Sequence, residues 1–536
     1  MKLILNSKFY SYIVFLLLLA IGLIFFRDFG IYGDEPVHRW IGSIYYLHIK
    51  EILINFNFNN EYLEKIKDLS NDEQFRLWIH YPIFFDLLTE FINDLFNINT
   101  SNNIFKTRHL TNFLIFFLSL VFFYKIILER FKNSYLAILG VILIFSSPRI
   151  FAESFYNSKD ILFLSLTIIN VYFSIKFINS QNNKNLFLYS LTAGLLINAR
   201  IMGILLPLVT FSIILFDAMD NSKTLLKKTV RIFLSSLIIS STVIIFWPFL
   251  WIDPFKNIGL YMEFVQNLPA VMNLYFGQHI LSYQTPWHFI PVWMSITIPV
   301  ATLFFSLFGF GLLILKFISR LSSIDKTNNM WFDKNELEDF FIFFLLFLPL
   351  ITALIFKNNF DGWRHYYYLY PLLIYHLIYF LHSIRHFKFK FFKIVNILII
   401  INILFTVKWI FNFHPYQYVY FNSISKNFVK NSFDLDYFGL SIKDSLNYIL
   451  EHDDREKIKI AAIGEAWIKG PMLILSEPSQ KRIIISNLDD ADYLIDTFRA
   501  KVSKKKRIDS KSFSKYHDII IDKKIINTTY KKNKTE

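Results

Sequence analysis

The sequence predicts a polytopic α-helical membrane protein with about 11 transmembrane helices and a small α/β extracytoplasmic domain at its C-terminal end. Three observations lead there. Hydrophobic residues fill 54% of the 536 positions, 62 Phe among them, and the mean hydropathy is +0.39, more apolar surface than a water-soluble core can hide. Apolar runs long enough to cross roughly 30 Å of hydrocarbon recur between short charged stretches. Near His414 the pattern turns polar and stays so to the end.

In chain order the expected spans are Phe9 to Phe26, Asn112 to Leu128, Leu136 to Ser147, Ile161 to Phe177, Leu186 to Ile197, Ile201 to Phe216, Ile232 to Leu250, Ile290 to Phe317, Phe340 to Phe356, Tyr366 to Leu381 and Ile394 to Phe411. The first follows Lys2 and Lys8, as a secretory leader would. It ends in Phe25-Phe26-Arg27 without a small-residue cleavage site, so it reads as a retained helix. Zero cysteines exclude disulfides and thiolate metal sites. A net charge of +14 raises nucleic acid as a partner, but the charge lies in short loops beside the spans and in the C-terminal end, which argues for orientation and solvation instead.

Short cytoplasmic loops collect Lys and Arg. With the N-terminus inside, the inner loops carry Arg130 and Lys132, then Lys184, then Lys223, Lys227, Lys228 and Arg231, then Arg320, Lys326 and Lys334, then Arg385, Lys388, Lys390 and Lys393. The outer segments are longer on average and hold acids, His, Trp and Pro. An odd number of spans leaves the C-terminal region outside as well. The expected division is residues 1–412 for the membrane part and 413–536 for the outer domain. That domain shows strand-like Lys459 to Ile463 and Arg482 to Ile485, an amphipathic stretch from Ser441 to Leu450, and lysine-rich segments at Lys501 to Arg507 and Lys531 to Lys534 that read as a solvated tail.

The ionisable residues that orientation does not explain fall on the outer side. Asp34 and Glu35 stand in G-D-E-P-V-H-R-W directly after the first span. Arg149, Glu153, Lys159 and Asp160 lie in S-P-R-I-F-A-E-S-F-Y-N-S-K-D-I, Arg200 in N-A-R-I-M-G, Asp361, Arg364 and His365 in F-D-G-W-R-H-Y-Y-Y, and His80 in W-I-H-Y-P. Each has a bland reading: helix-end charge for Lys159 and Asp160, snorkelling for Arg200, an aromatic belt with its cation for Arg364 and His365, a structural imidazole for His80. Charged groups at the edge of hydrocarbon are costly unless paired or used, so their shared side makes them a candidate site. A carboxylate there can take a proton from an attacking acceptor, and fixed cations can stabilise a departing phosphate. A transferase using a sugar linked to a lipid phosphate needs both at that depth.

These motifs, with F-H-P-Y-Q-Y-V-Y-F-N leading to D-L-D-Y-F-G-L-S, give the chain a further meaning. It resembles a bacterial member of the GT-C fold glycosyltransferases, close to family 39, which includes the protein O-mannosyltransferases and is related to the lipid A aminoarabinose transferases. The resemblance implies a multi-pass inner-membrane enzyme with a polyprenyl-phosphate-sugar donor, undecaprenyl phosphate as carrier, and an inverting transfer to a protein, lipid or glycan acceptor. It assigns the general base to Asp34 or Glu35, matches Asp160 to the acid of the second loop and Arg200 to the basic residue of the following turn. Arg364, with Lys159, His365 and His80, then completes the donor-phosphate candidates. No clean D-x-D is present, so a divalent metal, used by some relatives, is not indicated; no other cofactor is implied. The rival class is a transporter or flippase of lipid-linked saccharides, which calls for ionisable groups near the middle of spans.

Overall fold

The computed structural model describes residues 2–72, 76–219, 222–251, 253–322, 333–355, 357–387, 389–429, 431–463, 468–499 and 512–533. Each expected span overlaps at least one helix, though several contain breaks. In order these are α1 (Lys2–Phe25), α2 (Glu35–Asn55), α3 (Glu61–Asn71), α4 (Arg76–Ile79), α5 (Phe84–Leu95), α6 (Ser101–Phe131), α7 (Ser134–Phe145), α8 (Pro148–Tyr156), α9 (Asp160–Asn179), α10 (Asn183–Ala199), α11 (Leu205–Met219), α12 (Ser222–Ile245), α13 (Pro254–Gln266), α14 (Phe289–Thr297), α15 (Val300–Leu321), α16 (Lys334–Ile355), α17 (Leu369–Phe387), α18 (Phe389–Asn412) and α19 (Ile442–His452).

Among the described residues, 6 helices are long and apolar enough to cross a membrane, and 7 if α7 and α8, bent by 68° at Ser146–Ser147, count as one broken span. The other expected runs sit on helices that are shorter or more polar. The run Ile290 to Phe317 is divided between α14 and α15. Pro299 has no N–H to donate and biases Ile298 away from helical geometry, and Ile298 is extended (φ −76°, ψ 137°).

Between the spans, α2 to α5 and α13 gather at one end of the bundle. A hairpin of β1 (Met272–Tyr275) and β2 (Gln278–Leu281), unforeseen in the sequence, joins them there. The helix α17 lies at the centre, with Leu369, Tyr370, Ile374 and Leu377 wholly buried. It can approach α15 closely because residue 309 is glycine: a Cβ there would stand 1.8 Å from the carbonyl oxygen of His376. The opposite end of the bundle is tied by ion pairs, Arg130 with Asp339 at 2.6 Å and Arg320 with Glu336 at 2.8 Å.

Beyond Asn412 the chain enters a 5-stranded sheet of order β4-β3-β5-β7-β6, built from β3 (Ile458–Ile463), β4 (Ile483–Ile485), β5 (Tyr493–Asp496), β6 (Phe513–Ile521) and β7 (Lys524–Lys532). The strand-like runs of the sequence are β3 and β4, parallel to one another. Lys531 and Lys532 lie on β7, paired to β5 and β6, and not in a tail; Ile526 to Thr529 on the same strand are buried on both faces, a run that a lysine-weighted reading overlooks. The segment Lys501 to Arg507 lies outside the described residues. The domain rests on the same end of the bundle as α2 to α5: Lys443 donates to the Asp28 carbonyl at 2.6 Å, His414 meets Asp28 at 2.8 Å, and Gln480 donates to Ser101 at 3.1 Å.

Candidate active site

The two adjacent carboxylates of the first loop have different surroundings. Pro36 in the first turn starts α2, and Asp34 takes the position before it. Its side chain makes no capping bond, is half-buried, and has no hydrogen-bond or ion-pair partner among the described residues. Glu35 turns inward and is 1% exposed. It accepts from Arg108 Nε at 3.3 Å and meets His109 Nε2 at 3.4 Å, both on α6. Arg108 also donates to Asp86 at 2.7 Å and to Thr89 at 2.9 Å, while Lys159 Nζ lies 3.5 Å from Asp86 and 3.0 Å from the Pro82 carbonyl. Glu35 thus belongs to a buried ionic network that fixes the start of α2 against α5 and α6. Arg39 adds an ion pair to Glu90 at 3.1 Å.

Asp34 faces a second, alternating chain of charges. Asp160, the first residue of α9, is held by Asn157 at 2.8 Å, pairs through Oδ1 with Arg200 Nη2, and accepts from Arg364 Nη1 through Oδ2 at 3.3 Å. Arg364 Nη2 reaches Asp361 at 3.0 Å, and the other oxygen of Asp361 receives Arg499 at 3.2 Å. The turn that presents this loop runs through left-handed backbone at Asp361 (φ 53°) and Gly362 (φ 73°), and glycine meets the second without strain. The β1 side chain Asn273 braces it, accepting from Asp361 N at 3.3 Å.

These neighbours shape the titrations. Burial raises the Asp34 pKa above the ordinary carboxylate value; Arg364 and Arg499 oppose the rise, while Asp361 and Asp160 add to it. Burial works against the charge of Arg364, but Asp361, Asp160 and Asp34 outweigh it and hold the guanidinium pKa above its usual value. His365 is pushed well below the usual imidazole range, first by burial and then by Arg364 and Arg200, so it is a neutral imidazole at physiological pH. Burial likewise lowers Lys159, with Asp86 working the other way.

Of the residues singled out in the sequence, Asp34, Asp160, Arg200, Arg364 and His365 come together. Lys159 and Glu35 belong to the adjoining network around Asp86. His80 stands apart, 3% exposed and stacked on Phe249 at 4.3 Å between centroids. Its neighbour Tyr81 faces the cluster instead: Lys159 lies 5.7 Å over its ring, and Arg200, Asp34, Arg364 and Asp160 all act on its buried phenol. Glu153 and Arg149 form an adjoining knot, joined to Asp160 through Asn157, which donates to Glu153 at 2.7 Å as well; Tyr367 donates to Glu153 at 2.6 Å and Arg149 packs over Phe421 and Trp293. Sequence reasoning missed Asp86, Arg108, His109, Tyr81 and Arg499. Asp86 on the amphipathic helix α5 carries a local signal; Arg499 carries none. Among the described residues no group of three or more His, Asp or Glu side chains is arranged to hold a metal ion.

Residues 80–250 match the family model of the dolichyl-phosphate-mannose-protein mannosyltransferases. The matched segment is about a third of the chain and contains Lys159, Asp160 and Arg200. No curated protein matches the sequence significantly. Among solved structures, ArnT from Cupriavidus metallidurans in the apo state covers 98% of this chain, with 98% of its own length covered, at 8% identity and a TM-score of 0.46. Its form bound to undecaprenyl phosphate covers 96%, with 97% of its own length covered, at 9% identity and a TM-score of 0.45. The Archaeoglobus fulgidus oligosaccharyltransferase covers 90% at 11% identity and a TM-score of 0.46, and this chain spans 65% of that protein's length.

Proposed function

We propose that the protein transfers a sugar from a polyprenyl-phosphate donor to an acceptor, with inversion, on the outer face of a cell membrane. Asp34 is the general base. It takes the proton from the acceptor as that atom attacks the anomeric carbon. The bond from the anomeric carbon to the phosphate oxygen breaks in the same step, and the phosphate leaves on its polyprenol. Arg200 and Arg364 hold the phosphate, and Asp160 holds the two guanidiniums. His365, being neutral, contributes as a hydrogen-bond donor. Tyr81 and Lys159 border the donor site, Glu35 fixes the loop that carries Asp34, and His80 packs behind it.

One observation carries this reading: a half-buried carboxylate without a partner, Asp34, lies beside Arg364, which shares Asp160 with Arg200, and both arginines keep a buried Nε–H with no acceptor among the described residues. Donors of this kind suit an anion that arrives with the substrate. A transporter would string such groups along the spans, whereas these sit at the ends of α9 and α10 and in the loops beside them.

Two measurements test the proposal. Purified protein in membranes, given a defined undecaprenyl-phosphate sugar, should release the carrier phosphate and glycosylate an acceptor with inverted configuration. Absence of both products across donors of different sugars would overturn it. A topology reporter fused after Phe411 should face outward with Asp34; an inward signal would separate the outer domain from the base.

A further inference from the structure

The charge chain does not end in the membrane part. Its last link, Arg499, comes from the C-terminal domain, just past β5. Phe498 adopts left-handed backbone (φ 58°), uncommon for an aromatic residue, and its N–H is fixed by Asp496 at 2.9 Å. The turn so made sends Arg499 to Asp361, itself left-handed. The other arm of the guanidinium donates to the Tyr437 carbonyl. Tyr437 in turn touches Arg149 and Glu153 at 3.4 Å through its hydroxyl. Asp361 at one end of the pair and Phe498, which precedes Arg499 at the other, therefore both take left-handed backbone.

We propose that Arg499 is a positioning residue for donor binding: by clamping Asp361 it holds Arg364 in line with Asp160, so the donor-phosphate site is complete only when the C-terminal domain is docked. This rests on the transferase reading above. Without Arg499, Asp361 has one guanidinium to bind instead of two and its loop loses its tie to the domain, so Arg364 is free to follow Asp361 away from Asp160. The ligand class is a lipid-linked phosphate mono- or diester.

The test uses the full chain in membranes and two separate readouts. The first is binding of undecaprenyl phosphate without sugar, together with KM and kcat for the sugar-bearing donor. The second is domain docking, followed by cross-linking cysteines introduced at Ser101 and Gln480, a clean probe because the chain has no Cys of its own. Arg499→Ala should weaken lipid-phosphate binding and raise donor KM about tenfold, the weight of one charge-assisted hydrogen bond, with kcat changing less. It should also lower the cross-linking yield, and Arg499→Lys should restore most of both. Unchanged binding and KM in a folded Arg499→Ala protein would overturn the proposal, as would failure of lysine to rescue. If the wild-type chain neither binds the lipid phosphate nor transfers sugar, the transferase reading fails. The clamp is then judged on cross-linking alone, where an unchanged yield refutes it.

Discussion

Substituting Asp34 and Glu35 separately gives the sharpest test of the site, because the two neighbours differ in partners. Asp34→Asn keeps shape and removes the base. General base catalysis is worth about a hundredfold to ten-thousandfold, so turnover should fall by that much. Stability should not fall. A carboxyl whose folded pKa is raised is destabilising once ionised, a cost that appears as pH rises above the ordinary carboxylate value; the amide removes it at neutral pH. Glu35→Gln does the reverse. It takes the charge from a buried pair with Arg108, and breaking such a pair costs about 3–5 kcal/mol. Arg108 keeps Asp86 and Thr89, which places the expected loss at the lower end. The assay is sugar transfer in purified membranes alongside the thermal midpoint of the same preparations. Asp34→Asn should be inactive and as stable as wild type or more so; Glu35→Gln should be less stable, with the activity of its folded fraction largely kept. An Asp34→Asn enzyme within threefold of wild type, or a stable and inactive Glu35→Gln, would refute the division of roles.

Three more outcomes follow from the same geometry. The acid limb of kcat/KM should lie above the ordinary carboxylate pKa of about 4, with the rate falling as pH drops through the raised Asp34 value; a pH profile flat down to the ordinary value contradicts this. Arg364→Lys cannot bridge Asp160 and Asp361 as a fork, and loss of one charge-assisted bond, about 1.5–3 kcal/mol, should raise donor KM by roughly 10 to 150-fold, read in initial-rate kinetics. His80→Ala should lower the thermal midpoint through loss of its stack on Phe249, about 0.5–1.5 kcal/mol beyond burial, and leave donor KM unchanged; a KM effect would return His80 to the donor site.

Much of the site was legible because its charges interrupt otherwise apolar sequence. Asp160, Arg200 and Arg364 stand out at the ends of hydrophobic runs, and the fold brings those ends together at one pole. Tyr81 was hidden by its neighbour His80, since which of two adjacent residues faces the cluster depends on how the turn after α4 is seated. The broken run at Pro299 was readable from the proline itself, and the hydropathy of its flanks masked it.

The sequence by itself determined the apolar spans, the pole at which unexplained charges gather, and the change to a sheet-bearing domain after Asn412. Those are local properties, set by side-chain hydrophobicity and its period along the chain. Only the tertiary structure decided the rest. Glu35 is locked by Arg108, 73 positions later, which leaves Asp34 as the carboxylate without a partner. Asp361 is completed by Arg499, 138 positions away in another domain. A pairing over such distances is fixed by how helices and sheet pack against one another, and one chain's sequence holds no periodic trace of it.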